Sequence, residues 1–296
     1  MKYRMFQHRI RNSIGFLVVS LAALLLFAAC GGAGAPPAAA PPAASPTGAT
    51  TGKTATATLK HVPTGTATLT WTPNNKDLVV KTVFTGLAPN SKHPAHIHSG
   101  SCANPGSVIH DLNTITADAH GNATTTTTIS NTNGGIPASG WLINVHNGPG
   151  MSSADQAISI ACADISNTHT STSSTQTVDT NFTSAPSAST GQNASGMAHL
   201  SISGTTLTVT TTLSGLAPNS SHAEHIHSGS CAMQGNIVYP LTTIKADAKG
   251  NATTTTTIKN VTAIPSTGWY VNVHNSTDMT NQTSFDPIAC GDVKLG

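Results

Sequence analysis

The stretch His93-Pro94-Ala95-His96-Ile97-His98-Ser99-Gly100-Ser101-Cys102 decides how this chain is read. It recurs as His222-Ala223-Glu224-His225-Ile226-His227-Ser228-Gly229-Ser230-Cys231, 129 residues later. Side chains alternate between the two faces of a β-strand, so His96 and His98 share one face and Ile97 takes the other. Two imidazoles side by side, with an aliphatic residue anchoring the strand in a core, make half of a metal site. A lone HxH is more often a solvated pair on a strand edge, so the weight rests on what repeats with it.

Much does. Gly86-Leu87-Ala88-Pro89-Asn90 matches Gly215-Leu216-Ala217-Pro218-Asn219 at the same shift. Trp141, Val145-His146-Asn147 and Ile160-Ala161-Cys162 match Trp269, Val273-His274-Asn275 and Ile288-Ala289-Cys290 at a shift of 128. The chain therefore carries a duplicated unit, expected at 54–165 and 194–296, with a Ser/Thr linker at 166–193. Each copy reads as short strands between turn signals, the pattern of an all-β sandwich or barrel. Strands are expected at Thr66–Thr72 and Leu78–Thr85 around a Pro73–Lys76 turn, and at Ala95–Ser99, Ala123–Ile129, Gly140–His146 and Ala157–Asp164. The Thr runs Thr124–Thr128 and Thr253–Thr257 suit strands with one wet face. No helix longer than a turn is expected.

Composition narrows the function. Charged residues are 8% and aromatics 4% of the 296 residues. The basic residues Lys2, Arg4, Arg9 and Arg11 crowd the start, and from Cys30 onward the chain has nine Lys, no Arg and eleven acidic residues. No basic patch remains for nucleic acid. Met1–Ser13 followed by the apolar run Ile14–Phe27 reads as a secretory signal over 1–29. Phe27-Ala28-Ala29-Cys30 resembles a bacterial lipobox, which implies lipidation at Cys30 and a protein held on the outer face of the cell membrane. The Gly/Ala/Pro-rich stretch to residue 53 reads as a flexible tether. Cys102, Cys162, Cys231 and Cys290 remain, an even count that implies disulfides in an exported chain. Three connectivities are possible, and the repeat selects Cys102–Cys162 and Cys231–Cys290. Each bridge closes a loop of about 60 residues, worth roughly 4 kcal/mol in the chain-entropy model.

The order of motifs resembles the copper/zinc superoxide dismutase family. An HxH strand, a nearby cysteine, the turn Asp111-Leu112-Asn113-Thr114-Ile115-Thr116-Ala117-Asp118-Ala119-His120-Gly121, a strand ending in Val145-His146 and a closing Ala161-Cys162 follow one another as they do there. The resemblance implies two tandem Greek-key β-barrel or sandwich domains of superoxide dismutase-like type, each with its own disulfide. It also implies copper ligation by His96, His98 and His146, and by His225, His227 and His274. Three neutral imidazoles with no thiolate or carboxylate among them suit Cu(II) on chemical grounds as well. His110 is the one candidate for the family's proton-delivering, metal-bridging histidine, and hence for a catalytic role confined to the first copy; Tyr239 and Pro240 replace His110 and Asp111 in the second. The stretch Ala103–His110 is too short for the family's zinc subloop, so a family-type zinc site is not expected. Ser159 and Pro287 stand where the family guides its anion with arginine, which leaves superoxide weakly steered.

Ala95-His96-Ile97-His98-Ser99-Gly100 and Trp269-Tyr270-Val271-Asn272-Val273-His274 are also similar to the CHRD domain, named after chordin and found in bacterial exported proteins. That resemblance implies a tandem β-module without catalysis, serving copper buffering or a structural or adhesive role. Superoxide or a copper donor is the partner implied by the first family, beside the membrane reached through the lipid anchor.

Overall fold

Alternating burial marks most of the strands in the computed structural model, which describes residues 51–184 and 193–296. The expected signal peptide and Cys30 lie outside the described residues. The strands run β1 (Thr54–His61), β2 (Thr64–Thr72), β3 (Asp77–Thr85), β4 (Ala95–Ser101), β5 (Asn104–Asp111), β6 (Ala123–Ile129), β7 (Trp141–His146), β8 (Ser159–Ile165) and β9 (Gln176–Phe182). They continue as β10 (Ser195–Ser203), β11 (Thr206–Ser214), β12 (Glu224–Ser230), β13 (Met233–Pro240), β14 (Ala252–Lys259), β15 (Trp269–His274) and β16 (Pro287–Leu295). Two one-turn helices, α1 (Ala154–Ala157) and α2 (Gln282–Phe285), precede β8 and β16. The all-β expectation holds.

In the first half, a sheet ordered β8-β7-β4-β5 faces a sheet ordered β9-β2-β3-β6. Leu69, Trp71, Leu78, Val80 and Phe84 of the second sheet share a buried cluster with Ile97, Ile143 and Val145 of the first. The second half repeats this as β13-β12-β15-β16 and β1-β10-β11-β14, which here join into one continuous eight-stranded sheet. Its core gathers Leu59, Leu200, Leu207 and Val209 with Ile226, Val271 and Val273. The Thr runs keep their alternate side chains in water, as their polarity requires. Disulfides join Cys102 to Cys162 and Cys231 to Cys290, as the repeat requires.

Two assignments differ from the sequence expectation. The stretch 166–193 holds strand β9, which pairs with β2 from Gln176 opposite Trp71 to Phe182 opposite Gly65, so it is not linker alone. Strand β1, placed by sequence in the first unit at 54–165, lies instead between β10 and β16 of the second half. The two halves thus exchange strands: the strand preceding each repeat completes the sheet of the other. Alternation along a strand says which side chains are buried but not which neighbour supplies the hydrogen bonds, and for that reason the exchange is invisible in composition. Strand β5, read as a short loop, is almost wholly exposed and has no apolar period to betray it.

Polar contacts add to this exchange. The Gln282 side chain accepts from Lys92 N at 3.0 Å and donates to Lys92 O at 2.7 Å. Gln234 Nε2 donates to Leu87 O at 2.7 Å, and Asn147 Nδ2 donates to Thr283 O at 3.1 Å. Both cores belong to one compact unit.

A chain that begins at Pro63 lacks β1 and leaves the facing edges of β10 and β16 unpaired. Hydrogen exchange followed by mass spectrometry is expected to show lost amide protection in β10 and β16, with β3 and β6 still protected. Unchanged protection in β10 and β16 would show that β1 does not complete that sheet.

Candidate metal centres

The first centre is built by antiparallel pairing of β4 with β7, which sets Asn144 opposite His96 and Leu142 opposite His98. Period two puts His96, His98, Asn144 and His146 on one face, while Ile97, Ile143 and Val145 go to the core at 0% exposure. A bulge between Val145 and His146 shifts the register against β8, and another falls between Ile97 and His98 against β5. Bulges of this kind re-aim side chains at the ends of a ladder. Gly100 closes the strand at φ +99°, and a Cβ there would lie 2.4 Å from Asn104 O, so only glycine fits the turn. The second centre uses β12 and β15 in the same way, with Asn272 opposite His225 and Tyr270 opposite His227.

The structure brings His96, His98 and His146 together so that one ring nitrogen of each lies within 4.8 Å of the others, and it does the same for His225, His227 and His274. Hydrogen bonds select those nitrogens. His98 Nδ1 donates to Gly106 O at 2.9 Å and His146 Nδ1 to Ala157 O at 2.8 Å. His227 Nδ1 donates to Gly235 O at 3.0 Å and His274 Nδ1 to Phe285 O at 2.6 Å. A carbonyl oxygen can only accept, so each of these rings carries its proton on Nδ1 and, when neutral, a bare lone pair on Nε2. All four Nε2 atoms are buried without a partner, and so are His96 Nδ1 and His225 Nδ1. Each centre therefore offers one Nδ1 and two Nε2 lone pairs, held in place by backbone carbonyls, the outer support that metal-bound histidines ordinarily have.

Burial favours the neutral form of His96, His146, His225, His227 and His274. It lowers the His146 pKa, with the Ala157 carbonyl acting the other way and His96 and His98 adding to the fall. It drives His225 down to about 4, helped by His227, and His274 to about 3 against the Phe285 carbonyl. Burial likewise lowers His96 and His227, the former against the pull of Asp111. Buried neutral lone pairs with no protein partner are costly, and a cation that accepts them removes that cost.

His110 is not brought to the cluster. It sits opposite the core-facing Ile97, and its ring packs edge-on against Trp141 with centroids 5.7 Å apart. Tyr239 packs on Trp269 in the same manner at 5.5 Å, which explains why histidine and tyrosine exchange there. The expectation of His110 as a ligand or proton donor is corrected accordingly. Asp111 lies opposite His96 with its carboxylate 3.7 Å from His96 Nε2, a charge contact that favours the proton on Nε2 and frees Nδ1. The histidine that opens each motif acquires a role that the sequence reading lacked. His93 Nδ1 donates to the carbonyl of His146 at 2.9 Å, and His222 Nδ1 to that of His274 at 2.9 Å. Each thereby fixes the backbone of the third cluster residue. The signal was its constant offset, three residues ahead of HxH in both copies.

The family model of the CHRD domain matches residues 170–280, a span that contains the whole second cluster. The match falls on the second of the two families that the sequence resembles and not on the dismutase family. No curated protein matches the chain.

Nitrogen-15 long-range correlation spectra of the metal-free protein above pH 7 are expected to show the Nδ1–H tautomer for His98, His146, His227 and His274. An Nε2–H tautomer at any of the four would contradict the donor set.

Proposed function

We propose that this chain is a non-catalytic tandem β-module that holds one copper ion in each repeat and serves to buffer or deliver the metal. One observation carries the reading: in both repeats three bare, buried imidazole nitrogens converge within 4.8 Å. A neutral all-imidazole set suits copper better than the harder cations, which seek carboxylates and water. Zinc also accepts three imidazoles with an open fourth position, and competition between copper and zinc for the purified chain separates the two metals. On the sequence evidence, the module is exported and tethered by a lipid on Cys30, with the stretch to residue 53 as its leash.

Non-catalytic use follows from what surrounds the clusters. Ser159 and Pro287 supply no positive charge beside either centre, and the chain from Cys30 onward contains no arginine to steer or anchor an anion. His110 is turned toward Trp141. A second reading, weak superoxide dismutation by the first repeat alone, is favoured by the half-exposed rings of His96 and His98. Pulse radiolysis of the copper-loaded protein separates the two: superoxide turnover above that of the metal-free protein, lost in the His96→Ala/His98→Ala chain, would overturn the non-catalytic reading.

Copper titration of the purified chain is expected to saturate near two ions, and the His96→Ala/His98→Ala chain near one, at unchanged disulfide content. Saturation near zero in the parent, or equal uptake by both proteins, would defeat the assignment.

A further inference from the structure

The two centres differ in their surroundings, and the difference points to different copper chemistry. Beside the second cluster lies a cavity of about 180 Å³ lined by His227, His274, Tyr270, Met279 and Phe285, with Ala88 and Pro89 of the first half across from them. Tyr270 is fully buried and stacks on His227 with centroids 5.0 Å apart. Leu142 occupies the corresponding place in the first half, where His98 is half-exposed. The charge differs too. Asp111 stands 3.7 Å from His96, whereas Pro240 stands opposite His225.

Met279 belongs to the turn between His274 and α2, five residues after the last cluster histidine. Asp278 pins this turn: its carboxylate accepts from Thr280 N at 2.9 Å, from Thr280 Oγ1 at 2.6 Å and from Asn281 Nδ2 at 2.9 Å. The turn thus holds Met279 at the wall of the cavity that also exposes His227 and His274.

We propose that the second centre is a Cu(I) site in which the Met279 thioether is the fourth donor beside His225, His227 and His274. The inference rests on the copper-binding reading above and adds the oxidation state and the ligand. Thioether sulphur is a soft, neutral donor that selects Cu(I). Three imidazoles and a thioether supply no negative charge, and a largely apolar cavity walled by the buried Tyr270 penalises an uncompensated charge more steeply the larger that charge is. Cu(I) therefore suits this cavity better than Cu(II). The first centre, more open to water and with Asp111 beside it, lacks that bias.

The test isolates the second centre in the His96→Ala/His98→Ala chain, loaded with Cu(I) under a reductant that leaves disulfides intact. X-ray absorption is expected to show one sulphur scatterer together with nitrogen. Adding Met279→Leu, which keeps the side chain's bulk, is expected to remove the sulphur and to weaken Cu(I) at least tenfold against a chromophoric Cu(I) chelator. Cu(II) affinity should change less than about threefold. The Met151→Leu change, at the equivalent position of the first half, is expected to leave the sulphur in place, and circular dichroism checks that each variant is folded. One copper ion with nitrogen scatterers alone, or equal Cu(I) affinity with and without Met279, would overturn this inference and leave the copper-binding reading intact. No bound copper in either oxidation state would overturn both.

Discussion

The antiparallel pairing of β4 with β7, and of β12 with β15, is the constraint on which the rest of the molecule depends. It sets the HxH pair and the strand-end histidine on one face and drives Ile97, Ile143 and Val145, or their counterparts, into the core. A slip of one residue in either ladder would send the histidines inward and the aliphatic residues into water. The core thus enforces the geometry of the cluster. The backbone carbonyls of Gly106 and Ala157, or of Gly235 and Phe285, then decide which nitrogen each ring presents.

The exchanged strands β1 and β9 give this local order a larger frame. Each half depends on a segment that lies ahead of the other half in sequence, so the two cores are tied by main-chain hydrogen bonds and not by surface contact alone. The same arrangement brings Ala88 and Pro89 of the first half against the cavity of the second centre. The two clusters match residue for residue, and the residues around them differ. Tyr270 in place of Leu142 and the absence of a carboxylate opposite His225 express that difference, as Asp111 and the half-buried His98 do on the other side.

Much of this was legible in the residues. The HxH pair, the third histidine at the end of a strand and the cysteine pairing all repeat at a nearly constant shift, and each belongs to a pattern of short range. What escaped the sequence was of two kinds. The identity of a strand's neighbours is a property of the whole topology, so β1 and β9 read as the start of a repeat and as linker. Roles set by direction also escaped: His110 has the right residue type and neighbourhood in sequence but faces Trp141, while His93 sits in plain view of the motif and works through a backbone carbonyl. Burial of Glu224 could not have been anticipated from Ala95 in the same place. Burial raises its carboxyl pKa to about 7, against the offsetting Thr211 hydroxyl, and no copper role follows from it.

Anomalous diffraction at the copper edge, from crystals of the copper-loaded chain, tests the central claim most directly. The account predicts one peak in each half, bonded to Nδ1 of His96 with Nε2 of His98 and His146, and to Nδ1 of His225 with Nε2 of His227 and His274. Peaks elsewhere on the chain, or coordination through the nitrogens already bonded to backbone carbonyls, would contradict it.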